Sequence, residues 1–345
     1  MPPEQRDQQQ RDEQHMARAV ELAARGAGTT SPNPVVGAVV LAADGTVAGE
    51  GWHERAGGPH AEVNALAAAG ERARGGTAYV TLEPCNHHGR TGPCAQALLR
   101  AGVARVVHAV ADPGAVEGGG ADTLRAAGVD VLGGVLAEEA ERVNEAWLTA
   151  ARQHRPHVLW KVAATLDGRA AAADGTSRWI SSAASREQVH DLRRRVDAIV
   201  AGSGTVLADD PHLTARDGDG ALSPRQPLRV VLDRRGRVRA GARVLDDAAP
   251  THVSRAATPA ALLAELRERG VVSVLLEGGP TLAGAFLAAG LVDRVVAYVA
   301  PALLGAGPAA LAGTGITTIA DAVRLDVDEV SVVGGDVRVS GRPRR

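Results

Sequence analysis

The sequence predicts two different α/β domains in tandem, on three observations: its length, an alternation of helix and strand patterns in both halves, and a polar break between them. The 345 residues and 35.3 kDa are enough for about two domains. Apolar residues at helical spacing alternate with short β-rich runs, which is the pattern of layered α/β domains. The break is Gln153-His154-Arg155-Pro156, and no internal repeat relates the two halves.

Residues 1–13 are rich in Gln, Asp, Glu and Arg without apolar periodicity, so a disordered tail is expected there. From His15, the residues Met16, Val20, Leu22 and Ala23 follow helical spacing up to Gly26, a glycine C-cap. A β-rich run over 35–41, a turn at Ala43-Asp44-Gly45 and a second run over 47–52 predict a hairpin. Helix 60–69, strand 77–82, helix 93–101, strand 105–110, helix 121–127, strand 129–132 and helix 138–150 then follow. In the second half, strands are expected at 157–163, 197–201, 228–232, 271–276 and 293–299, and helices at 184–195, 258–269 and 280–289. The domains are therefore placed at 14–152 and 156–345.

Composition excludes several classes of function. A formal net charge of −2 argues against a nucleic-acid-coating protein. No apolar run reaches the roughly 18 residues of a membrane span. The opening stretch MPPEQRDQQQRDEQ is polar where a signal peptide carries an apolar stretch, so a cytoplasmic location is expected. Aromatic residues make up only 2% of the chain, so the core must be built from small aliphatics. Two rarities stand out: the only cysteines are Cys85 and Cys94, and Lys161 is the only lysine.

The cysteines belong to the first candidate site. His60 and Glu62 lie where a helix begins, and Cys85 follows the strand over 77–82 directly. One histidine and two cysteines suit Zn²⁺ and leave its fourth tetrahedral position for water, the arrangement of a catalytic zinc. Glu62 stands where a carboxylate can take a proton from that water and pass it to a leaving group. His-x-Glu followed by Pro-Cys and a second Cys is the zinc nucleobase-deaminase pattern, although eight residues separate these cysteines where two are usual. Pro93-Cys94 opens a helix, which favours a thiolate. A disulfide is disfavoured in a reducing cytoplasm, and His53, His87 and His88 rank below His60 as ligands because none has a glutamate at that spacing. Upstream, Pro32 and Pro34 flank Asn33 and fix the backbone that would aim its amide at a base edge; an ordinary turn is the alternative.

These residues resemble a known family. The motifs are Pro32-Asn33-Pro34-x-Val36-Gly37, His60-Ala61-Glu62, and Thr81-Leu82-Glu83-Pro84-Cys85-Asn86-His87-His88-Gly89-Arg90-Thr91-Gly92-Pro93-Cys94. In the second half they continue as Lys161-x-Ala163-x-x-Leu166-Asp167-Gly168, Ser177-Arg178-Trp179-Ile180, Thr205-Val206-Leu207-Ala208-Asp209-Asp210-Pro211 and Glu277-Gly278-Gly279-Pro280-Thr281-Leu282. From about residue 14 onward the chain is similar to the bifunctional deaminase–reductases of riboflavin biosynthesis. The resemblance implies a cytidine-deaminase-like α/β/α layered domain followed by a dihydrofolate-reductase-like α/β domain. The first would deaminate a pyrimidine ribosyl phosphate with zinc, and the second would reduce the ribosyl side chain to ribityl with NADPH. A small-molecule substrate, no nucleic acid, no membrane and a homo-oligomer are expected.

The second half has no Gly-x-Gly-x-x-Gly after a strand, so the usual dinucleotide fingerprint is missing. Two strand-to-helix junctions, 200–205 and 276–281, carry glycines that would present N–H groups to an anion. The resemblance assigns the turn Gly279, Pro280, Thr281, Leu282 and Ala283 to the cofactor, together with Ala163, Trp179, Thr205 and Asp209. It assigns Ser177, Arg193, Leu213, Arg216 and Glu277 to the substrate, and it puts Lys161 close to the reacting ribose. A lysine can lose its proton when desolvated, so Lys161 is expected either to assist proton transfer or to be structural. Arg234 stands where the family often has a small polar residue, and is either a partner for the cofactor's 2′-phosphate or a solvated charge. The rival functions are a nucleoside or tRNA deaminase with an accessory domain, and a binding protein on a degenerate deaminase fold. The first would not need a phosphate-binding second half, and the second would have lost Glu62 or a ligand.

Overall fold

The computed structural model describes residues 2–87, 92–114 and 118–344, in two compact units, 1–153 and 154–345. Unit one contains α1 (Pro3–Ala24), β1 (Gly37–Leu41), β2 (Val47–Trp52), α2 (Ala61–Ala69), β3 (Thr77–Leu82), α3 (Cys94–Ala101) and β4 (Arg105–Val110). It ends with α4 (Gly120–Ala126), β5 (Asp130–Gly133), α5 (Ala137–Val143) and α6 (Glu145–Gln153). Its sheet runs β2-β1-β3-β4-β5, antiparallel at the β1 hairpin and parallel from β3 to β5. Successive residues of a strand face opposite ways, and that splits the core in two. Ala38, Val40 and Val80 pack with Ala65, Leu98 and Leu124 of α2, α3 and α4. Val39, Tyr79 and Val107 pack with Met16, Leu22 and Leu148 of α1 and α6. The result is a three-layer α/β/α domain. Helix α1 lies so close to the sheet that a Cβ on Gly37 would stand 2.0 Å from the Ala19 carbonyl oxygen.

The start of the chain corrects the expected disordered tail, because α1 begins at Pro3. Side-chain hydrogen bonds from Gln8 to Asp12 (2.9 Å) and from Gln9 to Glu13 (2.8 Å) support the exposed first turns. Asp12 anchors them to the sheet. It is buried and takes both guanidinium arms of Arg105 at 2.7 and 2.8 Å and the Tyr79 hydroxyl at 2.8 Å. Burial pushes the Asp12 carboxyl up, but its bonds to Arg105, Tyr79 and Gln8 prevail and hold it below its ordinary value. A depressed pKa stabilises the fold above the ordinary value of 3.8, and that stability is lost as pH falls through the folded value. Asp12→Asn is therefore expected to lower stability by about 1–3 kcal/mol at neutral pH. Calorimetry should show the gap from wild type closing below about pH 4. The helix expected over 138–150 is broken at Asn144, whose Oδ1 accepts the Val35 N–H at 3.2 Å.

Unit two holds β6 (His157–Thr165), α7 (Ala183–Arg195), β7 (Ala198–Gly202), α8 (Ser203–Asp209), β8 (Leu228–Leu232), β9 (Thr251–Ser254) and α9 (Pro259–Glu268). It continues through β10 (Ser273–Leu276), α10 (Pro280–Ala288), β11 (Arg294–Ala300), β12 (Leu325–Val333) and β13 (Asp336–Pro343). The eight strands run β12-β13-β11-β6-β10-β7-β8-β9, parallel from β11 to β9 with β13 and β12 added antiparallel. Val158, Val200, Val230, Val274 and Leu276 meet Leu262, Leu266 and Phe286 of α9 and α10 on one face. Ile199, Val231 and Leu275 meet Leu213 and Val244 on the other. Helix α8 follows the strand-to-helix junction expected at 200–205, whereas β9, β12 and β13 are additions to the expected elements. Among the described residues no helix is long and apolar enough to cross a membrane.

Candidate active sites

In unit one, two helix N-termini and one strand end converge. His60 is the N-cap of α2, Glu62 lies in its first turn, Cys94 opens α3, and Cys85 follows β3 and Pro84. Helix N-termini carry partial positive charge, which favours thiolate and carboxylate there. His60 Nδ1 lies 3.6 Å from Cys85 Sγ and 3.3 Å from Cys94 Sγ, and the Cys94 N–H donates to Cys85 Sγ at 3.4 Å. The three donor atoms lie within 4.8 Å of one another. Tetrahedral zinc bound to sulfur at about 2.3 Å and to nitrogen at about 2.0 Å sets its N···S edges near 3.5 Å, so this donor set fits the ion. A hydrogen bond from the Cys94 thiol pulls the Cys85 thiol down against burial, with His60 and the Cys94 N–H assisting. The same bond to Cys85, with burial, pushes Cys94 up. Glu62 is 4% exposed, and burial raises its carboxyl to about 6.

The cluster opens into a cavity of about 240 Å³ lined also by Asn33, His53, Glu83, His87, Asp112 and Trp147. Asn33 and His53 form a pair. His53 Nδ1 lies 2.9 Å from the Pro59 carbonyl, and Asn33 Nδ2 lies 3.4 Å from His53 Nε2. Both nitrogens of His53 are thus engaged away from the donor cluster, and the Asn33 carbonyl oxygen is left for a ligand. His87 lines the cavity, and His88 lies outside the described residues. Glu83 and Trp147 escaped sequence reasoning. The Glu83 carboxylate accepts the N–H groups of Asp112 (3.2 Å), Gly119 (3.1 Å) and Ala121 (3.0 Å), tying the approach to α4 to the end of β3. Its signal was its place two residues before Cys85. Trp147 comes from α6 and had none.

In unit two, Lys161 and Ala163 share one face of β6, and Lys161 faces Glu277 and Arg193. Arg193 Nε and Nη2 grip the Glu277 carboxylate at 2.6 and 2.9 Å, and Nη1 donates to the Thr214 carbonyl at 2.9 Å. Burial pushes the Lys161 ammonium down, with Glu277 opposing and Arg193 assisting. Leu213 is buried in the left-handed region at φ 51°, and Arg216 follows three residues later. The fold therefore brings together Lys161, Arg193, Glu277 and the segment from Leu213 to Arg216. Ser177 and Trp179 stand on the loop before α7, where Trp179 is 69% exposed with Arg186 stacked 4.4 Å over its ring. Arg178 joins this loop to the Asp209 carbonyl at the end of α8.

The turn after β10 has the form of a phosphate cradle. Gly279 is the N-cap of α10, and its N–H donates to Thr205 Oγ1 at 3.1 Å. No side chain caps the N-terminus of that nine-residue helix. A Cβ on Gly278 would stand 2.7 Å from the end of the Leu282 side chain, which would have to move to admit one. The Leu282 and Ala283 N–H groups return to the Gly279 carbonyl at 3.1 and 3.2 Å, which closes the first turn of α10 with its positive dipole end facing the turn. Arg234 is exposed on the turn after β8.

Comparison with known proteins extends over both units. Residues 9–110 match the cytidine and deoxycytidylate deaminase zinc-binding region, and residues 156–339 match the RibD C-terminal domain. The riboflavin biosynthesis protein RibD of Mycobacterium tuberculosis is 51% identical over 326 residues, covering 94% of this chain and 95% of that one. RibD of Escherichia coli is 44% identical over 359 residues, with 94% and 98% covered. Among solved structures, Acinetobacter baumannii RibD superposes with a TM-score of 0.89 at 39% identity, covering 98% of this chain and 100% of that one. A Thermotoga maritima diaminohydroxyphosphoribosylaminopyrimidine deaminase/5-amino-6-(5-phosphoribosylamino)uracil reductase gives 0.90 at 36% identity with the same coverage. The chain belongs to the RibD family, the bifunctional deaminase and reductase of riboflavin biosynthesis, with a zinc-binding deaminase domain and an NADPH-dependent reductase domain.

Proposed function

We propose that the two steps are carried by the residues assembled above: removal of the 2-amino group of the diaminopyrimidine ribosyl phosphate in unit one, then reduction of its ribosyl group in unit two. The observation that carries the first assignment is the His60, Cys85 and Cys94 donor set with buried Glu62 beside it. Zinc bound there supplies a Lewis acid that makes a water proton easy to remove. Glu62 takes that proton on its carboxylate and returns it to the departing nitrogen, which leaves as ammonia. Asn33, with its N–H turned to His53, presents its carbonyl oxygen to the pyrimidine edge.

In unit two, NADPH supplies a hydride to C1′ of the ribosylamino group. The turn from Gly279 to Ala283 holds its phosphates, and Ala163, Trp179, Thr205 and Asp209 complete the cofactor wall. Ser177, Arg193, Leu213, Arg216 and Glu277 hold the ribosyl phosphate, with the planar fork of arginine suited to phosphate oxygens. Lys161 Nζ donates its proton to the ring oxygen as the ribose opens, and its lowered pKa makes that proton available. The chain is read as a cytoplasmic homo-oligomer. Cys85 and Cys94 form no disulfide, which suits a reducing compartment, and edge strand β12 exposes Val327, Val330 and Val332.

Elemental analysis tests the metal assignment. Wild-type protein should carry about one zinc per chain, and Cys94→Ser should lose both the zinc and ammonia release, since a hydroxyl replaces a thiolate ligand. Zinc-free wild-type protein that still deaminates would contradict the assignment.

A further inference from the structure

We propose that His190 is a positioning residue of the reductase site, where it holds the segment from Thr214 to Arg216 in the shape that presents Leu213 and Arg216 to the ribosyl phosphate. The inference rests on the reading of Leu213 and Arg216 as substrate contacts. His190, Arg193 and Arg194 lie at i, i+3 and i+4 on α7, so all three reach the same side of the helix. Together they engage three backbone atoms of one short segment. Arg193 Nη1 donates to the Thr214 carbonyl at 2.9 Å, Arg194 Nη1 donates to the Arg216 carbonyl, and His190 Nδ1 accepts the Arg216 N–H at 3.2 Å.

The division of labour follows from donor chemistry. Arginine only donates, so two arginines can serve the two carbonyls but neither can serve the N–H between them. A neutral imidazole supplies the acceptor that is needed. Burial and the neighbouring Arg193 guanidinium push the His190 pKa down and keep its ring neutral, with Glu277 and a hydrogen bond to the Thr214 carbonyl opposing and Arg194 assisting. The segment needs such support, because Leu213 immediately before it has a φ of 51°, a conformation that β-carbon-bearing residues keep only when their surroundings enforce it. Arg193 also grips Glu277, so the helix face that shapes the segment is fixed to the carboxylate facing Lys161.

Steady-state reductase kinetics on full-length protein, with the deaminated pyrimidine ribosyl phosphate as substrate, test the role. His190→Leu is expected to raise KM about tenfold, the effect of leaving one partly buried N–H unpaired. Its kcat should stay within about twofold of wild type, and NADPH affinity by calorimetric titration should not move. His190→Asn places Oδ1 near the position of Nδ1 and should bring KM back to within about threefold of wild type. If His190→Leu does not fold, His190→Gln, which displaces the acceptor, is measured in its place with the same expected rise in KM. An unchanged KM, or equal losses in KM, kcat and NADPH affinity that asparagine does not rescue, would overturn the proposal. Arg216→Ala separates it from the reading beneath. Wild-type KM in Arg216→Ala would remove Arg216 from the substrate site, whereas a raised KM there beside a wild-type KM in His190→Leu would remove His190 alone.

Discussion

Replacing Glu62 with glutamine is expected to slow ammonia release by about 10²–10⁴-fold, the range that a positioned general acid–base group contributes. The substitution keeps the size of the side chain and one carbonyl acceptor and removes only the ability to carry a proton. The side chain is buried in the first turn of α2, two residues after His60, and burial already lifts its carboxyl to about 6. A carboxyl poised there can give a proton back as readily as it takes one at cellular pH. Zinc content should stay at the wild-type level, because His60, Cys85 and Cys94 are untouched. A variant that keeps zinc and still deaminates within about tenfold of wild type would remove Glu62 from the proton path.

Lys161→Arg should lower reductase turnover by about 10²-fold or more while NADPH affinity stays near wild type. Arginine keeps the positive charge opposite Glu277 but does not release its proton in a protein. Its larger fork must also fit beside Arg193, which already occupies both oxygens of Glu277. Burial pushes the lysine pKa down, so its ammonium is a better proton donor than a solvated one. Near-normal turnover in the arginine variant would make Lys161 a structural cation. Ammonia release by the same protein is expected to be unaffected.

The deaminase site was legible because its chemistry is written in short local motifs. His60 and Glu62 sit within one helical turn and Cys85 and Cys94 lie nine positions apart, so the combined deaminase pattern groups them in the sequence. Folding added what spacing does not encode: the Asn33–His53 pair, the Glu83 clasp and Trp147, which reaches the cavity from α6. The reductase site has no local signature. Lys161 comes from β6, Arg193 from α7, Glu277 from the end of β10 and Arg216 from a loop, and only the resemblance to a family joined them in advance.

The fold shows the same division. Short β-rich strands such as Ala198–Gly202 and Leu228–Leu232 are readable because both their faces are largely buried, even with Arg229 inside the second. The terminal hairpin of β12 and β13 lies outside the expected elements, although Gly334-Gly335 between two valine-rich runs is a hairpin signal. The start of helix α1 is invisible to apolar periodicity because its anchor is a polar contact between Asp12 and Arg105, 93 positions away. Periodicity sees burial of apolar side chains; it does not see an aspartate that meets its partner across the sheet.

NADPH oxidation by the Glu62→Gln protein tests most directly whether one chain carries two separable active sites. Given the diaminopyrimidine ribosyl phosphate, the variant should oxidise almost no NADPH, because no deaminated substrate forms. Given the deaminated compound, it should oxidise NADPH at the wild-type rate. Slow oxidation with both substrates, or fast oxidation with both, would contradict the assignment of the two steps to independent sites.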